Sequence, residues 1–245
     1  MEERMIASPS FYADWRHVFK LDPDRTIPDE ALAAVCRSGT DAILVGGSSG
    51  VTYDNTAKLL ARIRRHDTPC ALELTDPENA VPGFDGYFIP MVMNARDKDW
   101  LIGHQTSAIE EFGFLLPWES VAGEAYIVLN GESTAARVSG ADSAIPESRV
   151  MAYGQLADRL WRVPVVYLEY SGTFGDMSLT RKVRGGLRQA RLFYGGGIRT
   201  LEQARQAGEA ADTVVVGNVI YDDLEAALAT VEAVKISAKE QDHVF

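Results

Sequence analysis

The feature that most constrains this fold is an alternation sustained along the chain: short apolar runs, rich in β-branched residues, each followed by a stretch of helical period. Strands are predicted at Trp15–Lys20, Asp41–Val45, Cys70–Leu74, Tyr87–Pro90 and Glu124–Leu129, in the run opening at Val163, and at Leu192–Tyr194 and Thr213–Val216. Helices are predicted after seven of them, at Pro28–Ser38, Tyr53–His66, Lys98–Glu111, Ser148–Trp161, Met177–Arg188, Thr200–Ala207 and Asp222–Val234. Strands separated by helices pair in parallel through right-handed crossovers. Eight such units in 245 residues match a (β/α)8 barrel, which typically takes about 250. An open doubly wound sheet is the alternative. The barrel is preferred because polar, glycine-rich ends recur on the first, second, sixth, seventh and eighth strands, and closure gathers them on one rim. A single barrel domain over residues 1–245 is therefore expected.

Two connections look irregular. Asp76–Gly83 carries Pro77 and Pro82, which leaves little room for a helix after the third strand. Asn130–Pro146 reads as a long polar loop.

Bulk composition excludes several classes. The formal net charge of -11 argues against nucleic acid, whose binding rests on basic patches. An anionic ligand would have to be held by local backbone donors and a metal rather than by the global field. Cys36 and Cys70 sit in apolar segments and read as buried free thiols in a reducing compartment. Met1–Ser10 lacks the apolar core of a signal peptide, and no stretch reaches the ~20 apolar residues of a membrane span. The expectation is a cytoplasmic protein, still able to meet a membrane surface.

Val163–Gly172, Val-Pro-Val-Val-Tyr-Leu-Glu-Tyr-Ser-Gly, starts as a strand buried on both faces and ends in a carboxylate, two phenols, a hydroxyl and a glycine. Strand ends of this kind carry the chemistry of α/β barrels. Gly195-Gly196-Gly197 and Gly217-Asn218 follow on the next two strands. Glycine lets backbone approach an anion closely, and the helix behind points its amides at the same place. Barrels commonly bind phosphate at the loops after their last two strands.

Lys20, at the first strand end, suits a Schiff base, a phosphate partner or a solvated charge. Asp22 offers a carboxylate oxygen to Mg²⁺ and Ser48 a hydroxyl, although an Asp before Pro is also a turn former. Glu169, in a strand crowded with Val and Leu, must be paired or engaged by a ligand; it could take a proton from a substrate hydroxyl. Tyr167 and Tyr170 are phenolic donors or packing. His17, His66, His104 and His243 show no ligand spacing, and His17 reads as a satisfied core residue. Zinc and serine hydrolase motifs are absent.

Five segments together resemble the geranylgeranylglyceryl phosphate synthase family and its bacterial branch, the heptaprenylglyceryl phosphate synthases. They are Trp-Arg-His-Val-Phe-Lys-Leu-Asp-Pro, Gly-Gly-Ser-Ser-Gly-Val-Thr, Tyr-Leu-Glu-Tyr-Ser-Gly, Phe-Tyr-Gly-Gly-Gly-Ile and Val-Val-Val-Gly-Asn. The resemblance runs from about Trp15 to Lys235. It implies a modified barrel whose third helix is replaced by an extended segment, matching the proline-bounded gap. It also implies an Mg²⁺-dependent ether linkage between sn-glycerol 1-phosphate and a polyprenyl diphosphate, in phospholipid biosynthesis.

By motif, Lys20 would contact glycerol phosphate, while Asp22 and Ser48 would lie at the metal. Tyr167, Leu168, Glu169, Tyr170, Ser171 and Gly172 would line the glycerol phosphate site. Gly197, Gly217 and Asn218 would close on its phosphate, and Glu169 would deprotonate the hydroxyl. Archaeal relatives place a bulky aromatic in the groove wall where this chain has Ala108, so a longer heptaprenyl tail is implied. An apolar groove favours a homodimer or contact with lipid.

Two positions depart from the family. Ser49 stands where many relatives have an acid, and Asn130–Thr134 lacks the expected Asn-Pro and Lys pattern. The alternatives are an isomerase or Schiff-base aldolase using Lys20, and a barrel that binds phosphate without catalysis.

Overall fold

In a computed structural model, which describes residues 10–242, every predicted strand forms. The readings of Met1–Pro9 and His243 lie outside the described residues. In chain order the elements are β1 (His17–Leu21), α1 (Asp29–Arg37), β2 (Ala42–Val45), α2 (Tyr53–Ile63), β3 (Cys70–Glu73) and β4 (Gly86–Val92). Then come α3 (Gly103–Phe112), β5 (Val121–Val128), α4 (Thr134–Ser139), α5 (Glu147–Gln155), β6 (Val165–Glu169) and α6 (Met177–Gly186). β7 (Arg191–Gly195), α7 (Leu201–Ala210), β8 (Thr213–Val216), α8 (Val219–Asp222) and α9 (Leu224–Asp242) complete it. The strands pair in parallel in sequence order, and β8 pairs back with β1, closing the barrel.

The crossover from β3 to β4 holds only a three-residue 3₁₀ turn, Pro77–Asn79, so the third helix is indeed replaced by an extended segment. The polar loop expected over Asn130–Pro146 is corrected: it contains α4. Ser133 accepts a hydrogen bond from the Ala136 amide at the start of α4, and Gly140 ends it in the left-handed region (φ 61°). Six residues are too few to show a helical period, so the caps were the only signal. The helix predicted to end at Trp161 does so through a π turn, Leu156–Trp161, closed by Arg162 at φ 56°.

Because side chains alternate along a strand, each contributes one set to the lumen and one to the helix layer. Phe19, Ile43, Leu72, Ile127, Val166, Leu168 and Leu192 face the helices, whose apolar stripes cover them. Fully burying a side chain of this size contributes about 1.5–3 kcal/mol. Val18, Leu44, Ala71, Phe88, Val165, Tyr167 and Phe193 fill the lumen. Tyr12 and Trp15, just before β1, pack their rings on Phe88 and stop the N-terminal mouth.

His17 is fully buried between the hydroxyls of Thr40 and Thr230, 2.9 Å from each, and burial lowers its pKa to about 3. It is a satisfied core residue. Cys36 and Cys70 are both buried and free. Among the described residues no helix is long and apolar enough to cross a membrane.

Candidate active site

The same alternation puts polar residues in the upper lumen. Val18 faces inward, so Lys20 does too; Ala71 carries Glu73 with it. On β5 the inward set is Ala122, Glu124, Tyr126 and Val128, and on β6 it is Val165, Tyr167 and Glu169.

The Lys20 ammonium lies 2.7 Å from Glu73 Oε1 and 3.3 Å from the Tyr126 hydroxyl. That hydroxyl is also 3.0 Å from Glu169 Oε2 and 3.3 Å from Glu73 Oε2. Its single proton serves one carboxylate at a time. Glu169 Oε1 accepts a hydrogen bond from the Ser171 amide. Tyr126 and Tyr167 stack with centroids 4.4 Å apart, and the ammonium sits 5.8 Å from each ring. Glu124, one layer deeper, is fully buried, and neither of its carboxyl oxygens has a hydrogen-bond partner.

One cation therefore serves three carboxyl groups. Burial raises the pKa of Glu124 well above the usual range, and Glu73 adds to the effect, so Glu124 is held as the neutral acid. Burial also raises Glu169, against the pull of Lys20 and the Ser171 hydrogen bond; this strengthens it as a base. Burial disfavours the Lys20 charge, but Glu73 and Glu169 outweigh it and its pKa rises. A lysine kept as ammonium is no nucleophile, which counts against Schiff-base chemistry.

Above this cluster opens a polar cavity of about 490 Å³. Tyr167, Glu169, Ser171, Gly172, Gly197, Gly217 and Asn218 all line it, as do Lys20, Asp22 and Ser48. Gly197 has φ 58°, and a Cβ there would collide with the backbone of Thr173 and Phe174. Only glycine lets the loop after β7 lie this close to the loop after β6. Leu168 and Tyr170, taken from the motif, turn their side chains away from the cavity into the helix layer. The Tyr170 amide is engaged by the Gly195 carbonyl at 2.7 Å.

Sequence reasoning missed Glu73, Glu124, Tyr126, Arg25 and Arg199. The first three share their inward faces with Ala71 and Ala122, so alternation was the available signal. Arg25 donates to Asn218 Oδ1 at 3.0 Å and stacks 3.7 Å from the Tyr221 ring centre. Arg199, next to the glycine loop, also lines the cavity and pairs with Asp222. Two arginines thus stand at the cradle of an otherwise acidic protein.

The donor set fits Mg²⁺. Asp22 Oδ1 lies so near Gly47 that a Cβ there would come within 2.5 Å of it. Among the described residues no three His, Cys, Asp or Glu side chains gather as a metal cluster. One carboxylate and one hydroxyl completed by ligand phosphates is the usual Mg²⁺ arrangement.

A second cavity, about 110 Å³ and mainly apolar, shares Gly47, Ser48, Tyr126 and Ala135 with the first. Ile89, Val92, Trp100, His104, Ala108 and Val138 line it, with Ala108 and His104 coming from α3.

A closed barrel with a glycine cradle, a buried cluster of carboxyl and phenol groups and an adjoining apolar cavity, all at one rim, is a (β/α)8 barrel of enzyme type. The family model described as the PcrB family matches residues 11–235, and the chain belongs to that family. It is 52% identical over 224 residues to the heptaprenylglyceryl phosphate synthase of Brevibacillus brevis, covering 91% of this chain and 97% of that one. With the synthase of the same name from Geobacillus thermodenitrificans it shares 53% over 221 residues, 90% and 92% of the two chains.

Among solved structures it is similar to (S)-3-O-geranylgeranylglyceryl phosphate synthase from Thermoplasma acidophilum, in complex with sn-glycerol-1-phosphate. The TM-score is 0.80 at 25% identity, over 92% of this chain and 95% of that one. Tryptophan synthase from M. tuberculosis, TM-score 0.54 at 16% identity over 96% and 98%, shares the fold alone. The resemblance carried by the motifs is borne out.

Proposed function

We propose that this chain transfers a long polyprenyl group, heptaprenyl by the names of its relatives, from its diphosphate to the free primary hydroxyl of sn-glycerol 1-phosphate. The observation that carries this reading is the junction of the two cavities: a glycine cradle and a buried carboxylate on one side, an apolar pocket on the other. The phosphate would rest on the amides around Gly197, Gly217 and Asn218, with Lys20 beside it. Tyr167 and Glu169 would hold the glycerol hydroxyls.

Glu169 would take the hydroxyl proton at a carboxylate oxygen. The oxygen's electron pair then forms the C–O bond to the allylic carbon, while the bond to the diphosphate breaks and that group leaves with its pair. Holding alcohol and donor in line at the junction supplies the proximity effect. Mg²⁺ held by Asp22 and Ser48 would supply neutralisation of the charge growing on the diphosphate. The tail would run past Ala108.

We place the reaction in the cytoplasm, at a membrane surface that holds both the lipid donor and the product, and in a homodimer. Exposed Ile102, Ile109, Phe114 and Trp118 on and around α3 support contact with lipid or a second copy.

The test is to incubate the protein with Mg²⁺, radiolabelled sn-glycerol 1-phosphate and prenyl diphosphates of graded length, then extract into organic solvent. Label is expected in the organic phase, and Glu169→Gln should reduce it by about a hundredfold or more. Label that stays aqueous with every donor would end the prenyltransferase reading.

A further inference from the structure

Three carboxyl groups and a single ammonium share the upper lumen, so the position of that ammonium sets the chemistry of all three. Lys20 forms its salt bridge with Glu73, at 2.7 Å. It reaches Glu169 only through the Tyr126 hydroxyl, 3.3 Å from the ammonium and 3.0 Å from Glu169 Oε2. Glu73 is itself buried, 7% exposed, and belongs to the wall of the apolar cavity rather than to the cradle. It shares the Tyr126 hydroxyl with the base, 3.3 Å from Glu73 Oε2 and 3.0 Å from Glu169 Oε2.

Building on the reaction proposed above, we propose that Glu73 is a positioning residue that tethers the Lys20 ammonium away from Glu169 and so keeps Glu169 free to act as the base. Two of the three ammonium protons are engaged by Glu73 and Tyr126, which leaves the third for a ligand in the cavity that Lys20 lines.

Without the Glu73 carboxylate, the next carboxylate acting on Lys20 is Glu169, which meets it through the Tyr126 hydroxyl. A direct ion pair would stabilise the Glu169 carboxylate and weaken it as a base. Loss of the repulsion from Glu73 acts in the same direction. The groups facing Glu169 are Lys20 from β1, Glu73 from β3, Glu124 and Tyr126 from β5, Tyr167 from its own strand and Tyr194 from β7. Of these, Lys20 is the only cation, so its tether governs the balance.

The test is the pH dependence of kcat, with KM for sn-glycerol 1-phosphate, in the wild type, Glu73→Gln and Glu73→Asp. Thermal unfolding of each protein is followed alongside. Glu73→Gln keeps the shape and removes the charge. Its kcat is expected to fall about tenfold, and the acid limb of its profile to move about one pH unit lower. KM should rise as well, because an ammonium drawn toward Glu169 leaves the ligand position in the cavity that Lys20 lines, so the acid limb of kcat is the reading that tests the tether.

Glu73→Asp, one methylene shorter, should move the limb part of the way in the same direction, and it carries the test alone if Glu73→Gln does not fold. An acid limb that stays at its wild-type position in a folded variant would overturn the proposal, whatever happens to kcat; a purely structural role predicts that outcome. Wild-type turnover in the same assay reports separately on the reaction itself.

Discussion

At the scale of single residues, the lumen cluster works by keeping charges unequal. Glu124 has both carboxyl oxygens unpartnered in a fully buried position, a placement that only the neutral acid tolerates cheaply. Its native pKa lies well above its unfolded value. Between the two values the native state holds a proton that the unfolded chain has released. Stability contributed by the protonated group is therefore complete below the ordinary carboxylate range and declines as pH rises through the window.

Glu124→Gln removes that dependence. Its thermal midpoint, relative to the parent, should rise as pH is raised above the ordinary carboxylate range; a difference independent of pH would contradict the assignment. Lys20, Asp22 and Glu169 were legible in the sequence because each interrupts or ends an apolar strand. Glu73 was harder to see because Cys-Ala-Leu-Glu-Leu reads as one apolar strand with a polar residue near its end, and nothing local shows the ammonium waiting across the barrel.

At the scale of elements, the loops after β6, β7 and β8 line the polar cavity and α3 walls the apolar one, and the proposed function divides between them. The replaced third helix belongs with this division, since Leu74, Thr75, Asp76 and Pro77 line the apolar cavity beside α3. A packed crossover helix would cover that side.

Ala108→Trp places a large ring in a cavity of about 110 Å³. The substitution should lower kcat/KM for heptaprenyl diphosphate by about tenfold or more while sparing a short donor such as geranyl diphosphate. Equal losses for both donors would remove Ala108 from the groove. The strands and long helices were legible from their periods. α4 was not, because six residues span less than two turns, and its identity rests on the Ser133 and Gly140 caps. Arg25 and Arg199 escaped notice for a similar reason: each sits in a loop whose fold brings it to the cradle from a distance in sequence.

At the scale of the whole molecule, barrel closure explains why residues from Lys20 to Asn218 share one cavity. Among the described residues the rings of Tyr12, Trp15, Phe88 and Phe193 pack together at the N-terminal mouth, and the polar cavity opens toward the C-terminal ends of the strands. The eightfold alternation made this architecture legible, and the glycine-rich strand ends marked the rim where the polar cavity opens. Side-chain pairing inside the lumen was not legible, because it depends on register between strands as far apart as β1 and β5. With a net charge of -11, the proposed binding of an anionic substrate depends on local groups, for which the amides of the glycine loops, Lys20, Arg25 and Arg199 are the candidates lining the cavity.

The structure of the complex with sn-glycerol 1-phosphate tests this account most directly. The phosphate should lie on the amides around Gly197 and Gly217–Asn218, with the free primary hydroxyl within hydrogen-bond distance of the Glu169 carboxylate. A phosphate seated elsewhere in the cavity, or a hydroxyl turned away from Glu169, would contradict it.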